Sequence, residues 1–136
     1  MKKIIVFVSL FFLFSSCNEI KTDNPTESYE MWIKSNSNEK INVLNGKYWQ
    51  SSHWSLEYLL FLEVKNDNTW WSKFKKENDL VIDTSEFNLE NVYEKPNWFK
   101  PNINSIKYKY DSEFDQGARY FEDTINNKIF VYDIQL

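Results

Sequence analysis

Residues Glu57 to Lys65 alternate in character, with Tyr58, Leu60, Leu62 and Val64 on one side and Glu57, Leu59, Phe61, Glu63 and Lys65 on the other. A period of two predicts a central strand with one fully buried face. A helix from Trp54 to Val64 also fits, through Leu56, Leu59, Leu60 and Val64, but Tyr, Phe and Val favour the strand. Ile106, Tyr108 and Tyr110 alternate with Lys107 and Lys109, which predicts a half-buried strand. Two further strands are expected at Ala118 to Asp123 and Lys128 to Gln135, around a turn at Ile125-Asn126-Asn127. Leu80-Val81-Ile82 is a candidate short strand.

One stretch carries a helical signal instead. Asn66-Asp67-Asn68-Thr69 is rich in capping residues, and the helix it opens, Thr69 to Asn78, sets Phe74 beside both Trp70 and Trp71. Phe74 is expected at the buried centre of that face. Trp70 and Trp71 lie about 100° apart around the axis, so one should be core and the other nearer the rim. Lys75 and Lys76 suit the C-terminal end of the helix dipole.

Between Asp83 and Asn104 there is no clean period. Pro96 and Pro101 bracket Asn97-Trp98-Phe99-Lys100, an ordered-looking loop with two large aromatics, and Trp98 is expected near the rim tryptophan. From Asn18 to about Asn45 the chain is polar, and Asn24-Pro25-Thr26 is a turn signal. Thr26 to Lys34 has the material for one or two helical turns, with Thr26 as cap and Tyr29, Trp32 and Ile33 on one side. Asn45-Gly46 is a turn dipeptide where the domain proper is expected to start. The sum is an α+β layer: an antiparallel sheet of about four strands, one helix across a face, and a polar tether in front.

The first residues belong to a different kind of segment. Met1-Lys2-Lys3 is positive, Ile4 to Phe14 is apolar except for Ser9, and Ser15-Ser16 precede Cys17. As a helix the apolar run would span about 16 Å, roughly half a bilayer core. A cleaved signal fits better than a transmembrane anchor. The segment resembles the lipobox of diacylglyceryl-modified bacterial lipoproteins, with Phe14 standing where that pattern prefers Leu. The resemblance covers residues 1–17 only. It implies that residues 1–16 are a signal peptide and that Cys17 is lipidated and becomes the first residue of the mature chain. Residues 17–45 are then the lipidated cysteine and tether, and 46–136 a single domain. It also implies a cell-envelope protein whose membrane partner is reached through the lipid. Asn18-Glu19 is not the Asp that typically retains such proteins at the inner membrane, so the outer membrane is preferred.

Composition narrows the function. Loss of Lys2 and Lys3 with the signal moves the formal charge from −4 to −6, and Arg119 is the sole arginine among 16 basic residues. An acidic chain with one guanidinium is poorly built to bind nucleic acid. Cys17 is the single cysteine, so no disulfide within the chain is available. Six Trp and eight Tyr, all after Cys17, supply the packing area instead.

Candidate chemistry is sparse. His53 is the one histidine, and Ser51, Ser52 and Glu57 could join it in a small hydrolase site, but no strained elbow or oxyanion motif accompanies them. Asp111, Glu113, Asp115 and Glu122 faintly resemble an EF-hand loop, with Gln116 where the sharp-turn glycine belongs. Zinc spacing is absent, and neither cofactor nor metal is expected. The most informative candidates are Trp70, Trp71, Trp98 and Phe99 as an aromatic binding platform. The expectation is a non-catalytic binding module for another envelope protein, with an immunity or inhibitor protein as a special form. A glycan-binding accessory lipoprotein is the alternative, and an enzyme using His53 a third. Trp flanked by Asp, Asn or Gln would favour a glycan.

Overall fold

The computed structural model describes residues 18–34, 41–52 and 57–136. In chain order the elements are β1 (Ile20–Thr22), α1 (Pro25–Ile33), β2 (Val43–Gln50), β3 (Tyr58–Lys65), α2 (Asn68–Glu77), β4 (Leu80–Ile82), β5 (Ile106–Tyr110), β6 (Arg119–Asp123) and β7 (Lys128–Gln135). The strands form one seven-stranded sheet in the order β1-β2-β3-β7-β6-β5-β4. All its pairings are antiparallel. From β3 the chain passes through α2 to the far edge and meanders back until β7 pairs with β3. Both edges are three-residue strands, too short to template pairing with another chain.

This corrects the expected architecture. Among the described residues the fold is mostly β, with seven strands and two short helices, rather than about four strands with one helix. The expected strands from β3 onward form, as does the short Leu80–Ile82 strand. The surplus strands β1 and β2 come before β3, and the helical turns expected over Thr26 to Lys34 form between them as α1, capped by Asn24 and not by Thr26. Asn24-Pro25 is not a free turn: Asn24 caps α1, its Oδ1 accepting from Glu27 N–H at 3.1 Å, and Pro25 opens the helix, where a missing N–H costs nothing. Asn45-Gly46 lies inside β2, not at a turn. A Cβ on Gly46 would come within 2.8 Å of Ser28 Cβ and 2.9 Å of Pro25 Cα, so this glycine exists to let α1 lie directly on β2.

The sheet is buried on both faces. On one face Tyr48, Leu60, Leu62, Val64, Tyr120, Ile129 and Val131 pack under α1 and α2. On the other, Leu59, Phe61, Phe121, Phe130 and Tyr132 pack under the segment between β4 and β5, through Phe87, Leu89, Val92, Trp98 and Phe99. In α2 the deepest residue is Trp71, at 1% exposure, rather than Phe74. Phe74 is half-buried and bridges Trp70 at 5.4 Å, Trp71 at 5.8 Å and Tyr120 at 5.6 Å between ring centroids.

Polar ties hold the irregular cover in place. Arg119, 7% exposed, donates from Nε to Asp83 at 2.8 Å and pairs through its other nitrogens with Asp115, while its guanidinium lies 5.1 Å from the Phe87 ring centroid. Asp83 also accepts from Ser85 N–H and Oγ. Burial pushes the Asp83 carboxyl up, but the Ser85 bonds and the charges of Arg119 and Lys107 hold it below the ordinary value. Further along, Asp123 accepts from Asn102 N–H and Asn126, fastening the loop end to the β6–β7 hairpin.

Two outcomes follow from this packing. Gly46→Ala should destabilise the fold by about 1–3 kcal/mol, because the methyl group strikes backbone and Ser28; chemical denaturation measures it. Arg119→Ala should cost about 3 kcal/mol, since the buried Asp83 carboxylate loses its nearest cation and keeps only Lys107 and Ser85, and near-ultraviolet circular dichroism should register loosening of the aromatic cover.

Candidate functional site

The four residues expected to share a platform are split between the two faces. Trp70 and Trp71 belong to the helix-covered face, and Trp98 and Phe99 to the loop-covered one. Phe99 is fully buried and meets Phe61, Phe130 and Phe121 edge-on, at centroid distances of 5.1, 5.5 and 6.2 Å. Trp98 is half-buried against Phe99. The prolines that bracket this loop therefore shape part of the core, and a single surface joining Trp98 to Trp70 does not form.

Trp70 instead lines a cleft of about 520 Å³ between α1 and α2. Its aromatic walls are Tyr29, Trp32, Tyr58, Trp70, Phe74 and Tyr110. Trp32 stands 5.3 Å from Phe74 between centroids and Trp70 stacks on Phe74, so two half-buried indoles flank one phenyl ring. Lys73, Glu77 and Asn78 of the α2 end add polar groups, and Asp133 contributes a carboxylate from β7.

Asp133 is the unusual member, at 3% exposure. The alternation of β7 places it on the helix-covered face, in register with Leu60 of β3. Its Oδ2 accepts from Trp32 Nε1 at 2.7 Å and from the Tyr58 hydroxyl at 3.2 Å. Burial pushes the carboxyl above its ordinary pKa, while the Trp32, Tyr58 and Ile134 N–H bonds oppose the rise. Beside it the Tyr120 and Tyr110 hydroxyls meet at 2.5 Å. Burial and the nearby Asp133 charge raise the Tyr58 and Tyr120 phenols well above the ordinary value, and push Tyr110 up to about 12. These hydroxyls keep their protons at neutral pH and serve as donors. The cleft thus combines flat aromatic faces with a small set of convergent polar groups, the usual composition of a small-molecule site.

His53 and Cys17 lie outside the described residues. Asp115 is engaged by Arg119 and by Gly117 N–H, whereas Glu122 bonds Lys75 and the Tyr108 hydroxyl under α2, so the faint calcium-loop pattern does not converge. Among the described residues no three His, Cys, Asp or Glu side chains gather as metal ligands. Sequence reasoning missed Trp32, Tyr58, Tyr110 and Asp133 as site residues; the signal available was an aspartate at an inward position of an apolar strand.

No family model, no curated protein and no solved structure matches this chain. Functional information therefore comes from the cleft.

The raised Asp133 pKa has a defined pH signature. Its contribution to stability is fully present below the unfolded-state value and is lost as pH rises through the higher folded value. Asp133→Asn removes that loss, so its melting temperature relative to wild type should increase as pH is raised across this interval. Thermal melts at a series of pH values measure the difference.

Proposed function

We propose that this chain is a lipid-anchored cell-envelope protein, held at the outer membrane through Cys17, that acts by binding and not by catalysis. The observation that carries the binding reading is the cleft between α1 and α2, with Trp32 and Trp70 as aromatic faces over the buried Asp133. A saccharide suits it. Indole and phenyl faces offer apolar, slightly negative surfaces to the C–H edges of a sugar ring, while Glu77, Asn78 and Lys73 lie where hydroxyl groups would meet them and Asp133 fixes the Trp32 indole from beneath. The anchor reading is supported by the Lys-Lys start, the apolar run and the Ser-Ser-Cys exit, and among the described residues no helix is long and apolar enough to cross a membrane.

A second reading, an envelope protein as partner, draws on a different place. Ile103 is 95% exposed and Ile125 66% exposed, on loops joined through the Asn102–Asp123 bond. Two bare isoleucines on neighbouring loops suit a protein contact better than a sugar.

Titration with soluble cell-wall glycan fragments, followed by tryptophan fluorescence, tests the cleft. Saturable change is expected in the wild type, and Trp70→Ala should weaken binding by about 1 kcal/mol or more, roughly fivefold, with little loss of stability. No saturable response from a folded protein would overturn the saccharide reading, and loss of capture of an envelope protein in Ile103→Ser/Ile125→Ser would favour the second. Mass spectrometry of the N-terminal fragment tests the anchor: an unmodified Cys17 would overturn it.

A further inference from the structure

The spacing between Cys17 and the first strand has a geometric consequence, and it rests on the anchor reading above. β1 starts at Ile20, so only Asn18 and Glu19 separate it from Cys17. Even fully extended, those steps reach only about 10 Å at roughly 3.3–3.6 Å per residue. The start of β1 is also fixed. Ile20 is in register with Gln50 of β2, and Glu19 accepts from Trp49 Nε1 and pairs with Lys21 at 2.9 Å. Within the expected tether, β1 and α1 are packed onto the sheet.

We infer that the end of the sheet holding the start of β1 rests directly on the bilayer, with Phe114 and Leu136 in the headgroup layer. The register puts Ile20, Gln50, Tyr58 and Gln135 at that end. Leu136 follows Gln135, is 76% exposed, and its N–H donates to Gln116 at 2.7 Å, which ties the end of β7 to the loop before β6. Two residues earlier in that loop, Phe114 is 86% exposed. Tyr93, 78% exposed, shares a cavity with Glu19 and Leu136. Large side chains so bare in water gain by entering a headgroup layer, and aromatic residues favour that interface.

Charge selects the lipid. Asp111, Glu113 and Asp115 surround Phe114, with Asp115 answered by Arg119; Glu19 is answered by Lys21 and Glu94 by Lys47. Among the described residues at this end the positive charges are matched by carboxylates, so zwitterionic headgroups fit and anionic ones do not. Tyr58, Tyr110 and Asn78 of the cleft lie towards the same end, which brings the cleft within reach of ligands attached to the membrane.

The test uses the full acylated chain in phosphatidylethanolamine–phosphatidylcholine vesicles, with a nitroxide on Phe114→Cys, Leu136→Cys, Ile103→Cys or Ile125→Cys. The expected result is oxygen accessibility relative to a water-soluble nickel complex several-fold higher at 114 and 136 than at 103 and 125. Adding phosphatidylglycerol should reduce that contrast. Equal nickel accessibility at all four positions, with Cys17 acylated and the protein floating with the vesicles, would overturn the inference alone. An unmodified Cys17 would overturn the anchor reading and the inference together.

Discussion

A sheet whose central strands are apolar on both faces has to be covered twice, and that requirement organises this molecule. In β3 every residue from Leu59 to Val64 is buried, whichever way its side chain points. Leaving either face in water would expose leucine, phenylalanine and valine side chains worth about 1.5–3 kcal/mol each on burial. The chain meets the demand by two different means. Two short amphipathic helices cover one face, and a segment with a single 3₁₀ turn, Leu89–Asn91, covers the other.

An irregular cover needs fastening, because it lacks a repeating hydrogen-bond ladder of its own. The fasteners are buried charges and side-chain caps at its ends: Asp83 with Arg119 and Ser85 at the start, Asp123 with Asn102 at the finish. The sole arginine is thus used inside the protein, where a planar fork can hold two carboxylates and stack on Phe87 at once. On the helical side Trp32 Nε1 and Asp133 perform a comparable task, fixing α1 to β7 through a bond at 2.7 Å.

The cleft is a by-product of how the helices arrive. α1 comes from the β1 edge and lies on β2 at Gly46, whereas α2 leaves β3 and crosses to the opposite edge at β4. Two helices delivered from different directions do not close against each other along their whole length, and the gap shows the aromatic residues of both. Asp133 lies at the gap because it shares the inward face of β7 with Val131 and Ile129. A carboxylate in that position lowers stability at neutral pH, a cost that an apolar residue would avoid.

How much of this was legible in the residues depends on the length of each signal. Long periodic runs specified β3, β7, the β5 and β6 strands and α2, because alternation and helical spacing are local properties repeated several times. β1 has three residues and one apolar position to offer, and β2 is interrupted by Asn45-Gly46, which mimics a turn until Ser28 and Pro25 are seen against it. Asn24-Pro25 carried the right information, a cap followed by a first-turn proline, but reads equally as a bend when the helix beyond it is short. Trp98 and Phe99 were visible as an aromatic pair, while the face they cover is set by the strand order. By itself the sequence determined the strands with strong period, the capped helix and the aromatic means of stabilisation. The tertiary structure alone decided that β3 pairs with β7, that Trp70 and Trp98 part to opposite faces, and that Asp133 meets Trp32 across 101 residues of chain. Those are long-range pairings, and no local pattern encodes which distant segment will supply the missing half of a contact.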